Sequence, residues 1–221
     1  MAAAPYWIRA KRALARSDPV LARIIRDHPR IALERRGEPF HTLARSIVGQ
    51  QISVKAAASI WARVLALAPT MIPGEIVDAK HGSLVACGLS QRKAEYLAGL
   101  ARHFVDGSLH VSAWHGMEDE AVIAELVQVR GIGRWTAEMF LMFNLLRPDV
   151  LPLDDLGLQR AIRLHYFKGR SVSPRTMRRV ASAWAPWRSV ATWYLWRSLD
   201  PIPVEYLCAR PAARARAVRV Q

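Results

Sequence analysis

Apolar residues recur at helical spacing along almost the whole chain, and no long stretch alternates apolar with polar residues. The sequence Ser17-Asp18-Pro19 combines a capping side chain with a proline in the first turn, and apolar residues follow it every three or four positions. Two further runs, Phe40 to Val48 and Val54 to Leu67, flank the segment GQQIS, in which Gly49 can end one helix and Ser53 can cap the next. The chain is therefore predicted to be all-α.

Helical patterns continue through the second half of the sequence. Six more runs follow: Ser90 to about Val105, Glu118 to about Val129, Trp135 to Leu145, Leu156 to His165, Ser173 to Trp184, and Arg188 to Leu199. We expect about ten short helices in one folded unit that spans residues 1–205. Residues 206–221 are rich in arginine and lack an apolar face, so they are predicted to form a mobile basic tail.

The net charge narrows the choice of partner. The 221 residues include 32 Lys and Arg against 18 Asp and Glu, a formal charge of +14. Such an excess is typical of proteins that bind a polyanion or, less often, an anionic membrane surface. No apolar run approaches the roughly 18 to 20 residues of a membrane span, residues 1–15 lack the order of a signal peptide, and no basic helix has a continuous apolar face. We expect a soluble intracellular protein that does not bind membranes.

Metal-binding patterns are missing from the sequence. Cys87 and Cys208 are too few for a four-thiolate zinc site or an iron–sulfur cluster, and the seven histidines have no metal-binding spacing. We expect two reduced structural cysteines, no catalytic metal and no cofactor.

The segment QVRGIGRWTAEMF, residues 128–140, joins two helical runs through a pair of glycines. Gly131 and Gly133 permit a tight turn and a close approach of the backbone to another molecule. The N–H groups that open the second helix form an anion site, which Arg134 and the Thr136 hydroxyl can supplement. Taken alone, this pattern is more typical of an ordinary helix–helix turn, and a DNA phosphate is the functional alternative.

The segment LLRPDVLPLDDLGLQRAI places two carboxylates, Asp154 and Asp155, at the start of the next helical run. An isolated pair of this kind is most often a helix N-cap in favourable contact with the helix dipole. Here the pair lies one helix beyond the proposed phosphate-binding turn, which makes a catalytic carboxylate the stronger interpretation.

Four motifs in this order resemble those of the helix-hairpin-helix (HhH-GPD) DNA glycosylases. They are the turn GQQIS, the hairpin VRGIGRWTAEMF, the aspartate segment LPLDDLGLQR and the segment WAPWRS near the C-terminus. Together they resemble the AlkA branch, the 3-methyladenine DNA glycosylases of type II, over about residues 39–199. The resemblance implies a two-lobed all-α fold with a cleft between the lobes and without that branch's N-terminal β-domain.

The resemblance also implies a reaction. Bifunctional members of the family carry a lysine after Gly-x-Gly-Arg, whose amine attacks the sugar and leads to strand cleavage. This chain has Trp135 there, so the resemblance implies a monofunctional enzyme that only removes the base. The endonuclease III and MutY relatives usually carry a four-cysteine cluster, which two cysteines cannot form. Asp155 falls at the family's essential position and would stabilise positive charge that develops on the sugar, whereas Asp154 would help to shape the helix start.

Site residues follow from the same resemblance. Trp135 and Trp196 match aromatic positions that line the family's base pocket, Phe40 is a further candidate wall, and Met139 replaces a pocket tyrosine of the branch. We expect the other tryptophans near the C-terminus to be core residues.

The turn GQQIS is where the resemblance places the wedge that fills the gap left by a flipped nucleotide. Its candidate DNA-binding residues are Gln50, Gln51, Ile52 and Ser53. Gln51 replaces an apolar leucine of the branch, so Ile52 would supply the apolar part of the wedge. A simple turn between helices remains the alternative.

The remaining expectations concern organisation and partners. Lobe one is expected to comprise about residues 1–38 and 170–205, and lobe two about residues 39–169. The resemblance suggests a monovalent cation at the backbone carbonyls of Val127, Val129 and Ile132. We expect a monomer that binds double-stranded DNA with alkylated bases in the bacterial cytoplasm, associated with the nucleoid. A glycosylase for other lesions, such as hypoxanthine or etheno adducts, and a non-catalytic DNA-binding module are the alternatives.

Overall fold

The computed structural model describes residues 3–199 as a helical structure. The helices of this part of the chain are α1 (Trp7–Ser17), α2 (Pro19–Asp27), α3 (Pro39–Gly49), α4 (Val54–Leu67), α5 (Pro73–Asp78), α6 (His81–Ala86), α7 (Gln91–Val105), α8 (Asp119–Leu126), α9 (Arg134–Phe143), α10 (Leu156–Phe167), α11 (Pro174–Ser182) and α12 (Arg188–Arg197). The predicted all-α class is confirmed. Between residues 3 and 199 the one extended pairing is an isolated bridge between Ala3 and Glu34.

Side-chain caps begin several helices where the sequence predicts them. The Asp18 carboxylate accepts the backbone N–H groups of Val20 and Leu21, and the Ser53 hydroxyl accepts that of Ala56. Ser90 and Ser173 cap α7 and α11 in the same way. Each cap satisfies a backbone donor that the first helical turn would leave unpaired, which fixes the helix boundaries.

Two short helices, α5 and α6, were not predicted from the sequence. Each has six residues, which is too few for a helical repeat to show in the pattern of apolar residues. Both pack against α7, where the buried side chains of Ile76 and Leu84 join the core.

The helices pack in two groups. α1, α2 and α12 contact one another, and α10 packs against α12. The other group is built around α7 and α3, with α4 to α6, α8 and α9 completing it. Within the described residues α10 therefore contacts the C-terminal helix, although the expected lobe two extends to residue 169. The lobe boundaries themselves remain a proposal.

Aromatic side chains fill much of the core. Trp114 and Phe140 lie edge to face at 5.2 Å, and Trp184 is fully buried. The Trp184 indole donates to the buried Asp18 carboxylate over 3.0 Å, and the Tyr166 hydroxyl donates to the same oxygen over 2.6 Å. The cap of α2 thus also binds α10 and the segment after α11.

From residue 3 to residue 199, no helix combines the length and the apolar character needed to cross a membrane. Cys87 is a buried free thiol, and burial raises its pKa. Cys208 and the expected basic tail, residues 206–221, lie outside the described residues.

Candidate active site and DNA-binding turns

The carboxylate of Asp155 accepts hydrogen bonds from three N–H groups. One oxygen accepts the backbone N–H of Leu158 over 2.6 Å and the indole N–H of Trp196 over 2.7 Å. The other oxygen accepts the indole N–H of Trp135 over 2.9 Å. Because both oxygens are engaged, the orientation of the carboxylate is fixed.

Three helices bring this site together. Asp155 is the N-cap of α10, Trp135 lies in the first turn of α9, and Trp196 lies in the last turn of α12. Trp196 is buried and stacks on Phe143 at 6.1 Å between ring centroids. Trp135, in contrast, has 41% of its surface exposed. The carboxylate is therefore fixed from a buried side and bordered by an indole that a ligand can reach.

Gly157 permits this packing, and the sequence reasoning did not identify it. A Cβ at this position would lie 3.1 Å from the Asp155 carboxylate and 3.1 Å from the Trp196 ring. A larger residue would require the carboxylate or the indole to shift by a few tenths of an ångström. The sequence signal is a glycine inside the first turn of a helix, where glycine is unfavourable unless packing requires it.

Asp154 is exposed and takes no part in the hydrogen bonds that hold Asp155. The cap at the start of α10 comes from Asp155 itself. The expectation that Asp154 shapes the helix start is thus not supported by these contacts, since the capping geometry belongs to the residue directly before the helix. Asp154 acts on its surroundings by charge, and it contributes to the raised pKa of Glu138.

Arg134 forms two ion pairs at the start of α9. Its guanidinium donates to Glu120 over 2.5 and 2.9 Å and to the buried Glu138 over 3.1 Å. Burial raises the pKa of Glu138, and Arg134 opposes that shift. The bond with Glu120 raises the pKa of Arg134 above its ordinary value. The arginine is therefore positioned by two carboxylates, and its contact with a DNA phosphate stays a prediction.

The two glycines of the hairpin turn, residues 127–133, have different environments. Gly131 has a φ of +95°, and a Cβ there would overlap the Tyr96 side chain. Gly133 is the N-cap of α9 with a φ of −92°, it has no capping side chain, and nothing lies within 4 Å of the place a Cβ would take. Packing inside the protein thus requires glycine at 131, whereas only an approaching molecule would require it at 133.

The other expected residues of the hairpin differ in exposure. Ile132 and Thr136 are buried, at 4% and 7% exposure. The carbonyl of Val129 accepts the backbone N–H of Ile132 over 2.9 Å, and the side chain of Val127 faces solvent. The cation expected at these carbonyls and the phosphate contact of Thr136 remain predictions.

The turn between α3 and α4, residues 50–53, lies beside the hairpin turn, and we call it the wedge turn. The side-chain amide of Gln50 donates to the carbonyl of Gly131 over 2.9 Å. Gln51 is exposed in a left-handed conformation with a φ of +54°, Ile52 is half-buried, and Ser53 caps α4. The two turns expected to bind DNA are therefore neighbours, and Gln51 forms the exposed tip.

Phe40 and Met139 are core side chains. Phe40 is 4% exposed and lies edge to face with Phe104 at 5.2 Å, and Met139 is 2% exposed within α9. The three hydrogen bonds to the Asp155 carboxylate come from other residues. Their place in a base pocket stays a prediction, whereas Trp135 and Trp196 do meet at that carboxylate.

Alignments with related proteins cover most of this chain. The family model for the HhH-GPD superfamily base excision DNA repair protein matches residues 44–186, which include both turns and Asp155. DNA-3-methyladenine glycosylase 1 of Schizosaccharomyces pombe is 34% identical over 176 residues, which cover 77% of this chain and 76% of the relative. DNA-3-methyladenine glycosylase 2 of Escherichia coli is 34% identical over 171 residues, which cover 72% of this chain and 57% of that protein.

Solved structures agree in fold. The DNA-3-methyladenine glycosidase of Bacillus halodurans superposes with a TM-score of 0.77 at 36% identity, with 88% of this chain and 90% of that chain covered. A 3-methyladenine DNA glycosylase of Schizosaccharomyces pombe, solved in complex with abasic DNA, gives a TM-score of 0.74 at 30% identity, with 86% and 96% covered. This chain therefore belongs to the HhH-GPD superfamily of base excision DNA repair proteins.

Proposed function

We propose that this protein is a monofunctional DNA glycosylase that hydrolyses the N-glycosidic bond of alkylated purines. The observation that carries the proposal is the Asp155 carboxylate, which three N–H groups hold beside the half-exposed Trp135 indole. The names of the relatives, DNA-3-methyladenine glycosylases from yeast and bacteria, support the choice of substrate.

The chemistry follows from the charge of the substrate. Alkylation at N3 or N7 leaves a purine cationic, which makes it a good leaving group and favours its contact with an aromatic face such as that of Trp135. The base must leave the duplex stack to reach the carboxylate, and flipping costs least where pairing is already damaged. As the glycosidic bond breaks, positive charge develops on the sugar, and the fixed Asp155 carboxylate stabilises it and orients the attacking water.

Strand cleavage is not part of the proposed activity. A lyase step requires an amine nucleophile at the sugar, and position 135, which carries lysine in bifunctional relatives, holds an indole that donates its only N–H to Asp155. The product would be an intact strand with an abasic site.

DNA binding is proposed to use the hairpin turn for the phosphates and the wedge turn for the gap left by the flipped nucleotide. The exposed N-terminus of α9 has no side-chain cap, so its backbone N–H groups can bind a phosphate. The formal charge of +14 favours the DNA polyanion. We propose that the protein acts as a monomer on duplex DNA of the nucleoid.

An excision panel tests the proposal. Duplexes that carry 3-methyladenine, 7-methylguanine, hypoxanthine or ethenoadenine are incubated with the protein, and strands are analysed with and without alkali. We expect breaks only after alkali, with the cationic purines excised fastest. Faster excision of hypoxanthine or ethenoadenine would change the lesion class, and tight binding without any abasic product would identify a non-catalytic DNA-binding protein. Asp155→Asn is the control for contaminating glycosylases.

A further inference from the structure

The face of α7 that carries Lys93 and Tyr96 lies behind both DNA-binding turns. The Lys93 ammonium donates to the carbonyl of Val48 over 2.8 Å and to that of Gln50 over 2.6 Å. These carbonyls belong to the last turn of α3 and to the residue directly after it. A cation is favourable at that place because the exposed carbonyls of a helix C-terminus carry partial negative charge.

Tyr96 is three residues further along the same helix face. Its ring lies against Gly131, closely enough that no side chain would fit there. The guanidinium of Arg130 lies 5.7 Å from the centre of the Tyr96 ring. One face of α7 therefore contacts the wedge turn through Lys93 and the hairpin turn through Tyr96.

A third contact joins the turns to each other. The Gln50 amide, directly after the end of α3, donates to Gly131. Lys93 binds the backbone carbonyl of this same Gln50, so the ammonium fixes the residue that spans the two turns. Burial lowers the pKa of Lys93, in agreement with an ammonium that has left solvent for the carbonyls.

We infer that Lys93 is a positioning residue for base flipping, which holds the wedge turn at a fixed distance from the phosphate-binding hairpin. The inference rests on the proposed function. An inserting turn must resist the closing of the base stack, and a turn whose tip residue, Gln51, is left-handed and exposed depends on its surroundings to keep its shape. Lys93 supplies that support through its bonds to the backbone carbonyls of Val48 and Gln50.

The test compares Lys93→Met with Lys93→Arg and Lys80→Met. Methionine keeps the length of the stem and removes the ammonium, and arginine restores a cationic donor. Lys80 is exposed and precedes α6, so Lys80→Met removes the same charge without the two carbonyl bonds. Two duplexes are used, with 7-methylguanine opposite cytosine or opposite an abasic-site analogue, where no partner opposes flipping.

We expect Lys93→Met to lower the single-turnover excision rate on the paired lesion by about ten- to hundredfold, the usual effect of losing hydrogen bonds from a charged group. The rate on the unpaired lesion should fall much less, Lys93→Arg should recover part of the loss, and Lys80→Met should match the wild type. An equal loss on both duplexes, or no loss on the paired one, would overturn the inference.

Fluorescence separates this inference from the proposed function. 2-Aminopurine next to an abasic-site analogue brightens when a protein unstacks it, and this signal does not require excision. If the wild type brightens the probe but excises nothing, the proposed function fails. The Lys93 inference is then still tested by the same signal: a loss of brightening in Lys93→Met supports it, and unchanged brightening contradicts it. A wild-type protein that binds without brightening the probe would overturn the inference directly.

Discussion

The Asp155 site and the hairpin turn both lie at the start of α9, where Trp135 follows Gly133 by two residues, yet they depend on different atoms. At Asp155, side chains from α9 and α12 converge on one carboxylate, and the buried indole of Trp196 fixes it from behind. At the hairpin turn, the backbone of Gly131 and Gly133 determines the shape. Stabilising a developing charge requires preorganised side-chain groups, whereas binding a phosphate at any sequence requires only backbone N–H groups at a fixed helix start.

This comparison predicts that mutations at the two regions separate catalysis from binding. Substitutions around Asp155 should lower the excision rate at nearly constant DNA affinity. Substitutions in the hairpin turn should weaken DNA binding and leave the rate of bound enzyme nearly constant.

The largest effect is expected for Asp155→Asn. The amide is neutral and would turn an N–H group toward one of the indole donors that now bind the carboxylate. Single-turnover excision should fall by at least about 100-fold. The duplex dissociation constant should stay constant or decrease, because a negative group near the phosphates is lost.

Asp154→Asn is the matched control, since this carboxylate is exposed and lies outside the hydrogen bonds around Asp155. Excision should stay close to wild type. The reverse pattern, an inactive Asp154→Asn with an active Asp155→Asn, would shift the catalytic position by one residue, and activity in both variants would remove the proposed mechanism. Rates, dissociation constants and a melting curve are needed for both.

The second effect concerns the paired variants Gly131→Ala and Gly133→Ala. Alanine at 131 must adopt a positive φ, at a cost of about 1–2 kcal/mol, and its Cβ would displace Tyr96. The melting temperature and the DNA affinity should both decrease. Alanine at 133 has open space and an ordinary φ, so the melting temperature should not change while the affinity for duplex DNA decreases.

Gly133→Ala is the more informative of the two variants, because its expected loss of DNA affinity is not accompanied by a loss of stability. If Gly133→Ala binds duplex DNA as tightly as the wild type, no phosphate approaches the N-terminus of α9. The proposal that the hairpin turn binds phosphate through its backbone would then be wrong. Titrations at two salt concentrations would detect the change.

A third, smaller effect is expected for Trp135→Phe, which keeps an aromatic face and removes the hydrogen bond to Asp155. Excision should fall about three- to tenfold, the value of an ordinary hydrogen bond. An unchanged rate would show that Trp196 and Leu158 alone orient the carboxylate.

Trp135→Lys asks whether an amine at this position restores strand cleavage. The ammonium would lie beside the Asp155 carboxylate, and an ion pair raises the pKa of a lysine, which keeps it protonated and unreactive. We expect reduced excision and no cleavage without alkali. Strand breaks that form without alkali, together with a covalent protein–DNA complex that borohydride traps by reducing the Schiff base, would contradict this expectation.

The smallest effect concerns pH. Burial, followed by nearby arginines, lowers the pKa of His41 in α3 and of His165 in α10. Because the folded state disfavours the protonated rings, the unfolded chain binds more protons as the pH falls below the ordinary value of about 6.5, and stability decreases there. When the pH is lowered from 7.5 to 5.5, proton binding by each of these histidines in the unfolded chain should lower the melting temperature by no more than about 4 °C. His41→Gln and His165→Gln should each flatten the profile, and an unchanged profile in both would assign the decrease to other groups.

The local features of this protein could be predicted from the sequence. Asp18, Ser53, Ser90 and Ser173 begin helices where their residue types and spacing indicate, because a cap involves groups only two or three positions apart. The glycine turn between α8 and α9 follows from the same kind of short-range constraint. The helices α5 and α6 were not predicted, because six residues are too few to show a helical repeat of apolar positions.

Contacts between distant segments required the tertiary structure. Trp196 is 41 residues from Asp155, and Gln50 is 81 residues from Gly131. The sequence suggested Trp135 and Trp196 as pocket walls. Only the packing of α9, α10 and α12 turns both indole N–H groups toward the Asp155 carboxylate. Likewise, the residue type of Arg134 indicated a phosphate ligand, and folding placed Glu120 of α8, 14 residues away, within reach of its guanidinium. Residue types and short spacings determine where helices begin and which chemistry is available, whereas the direction of each side chain depends on packing that the whole core decides.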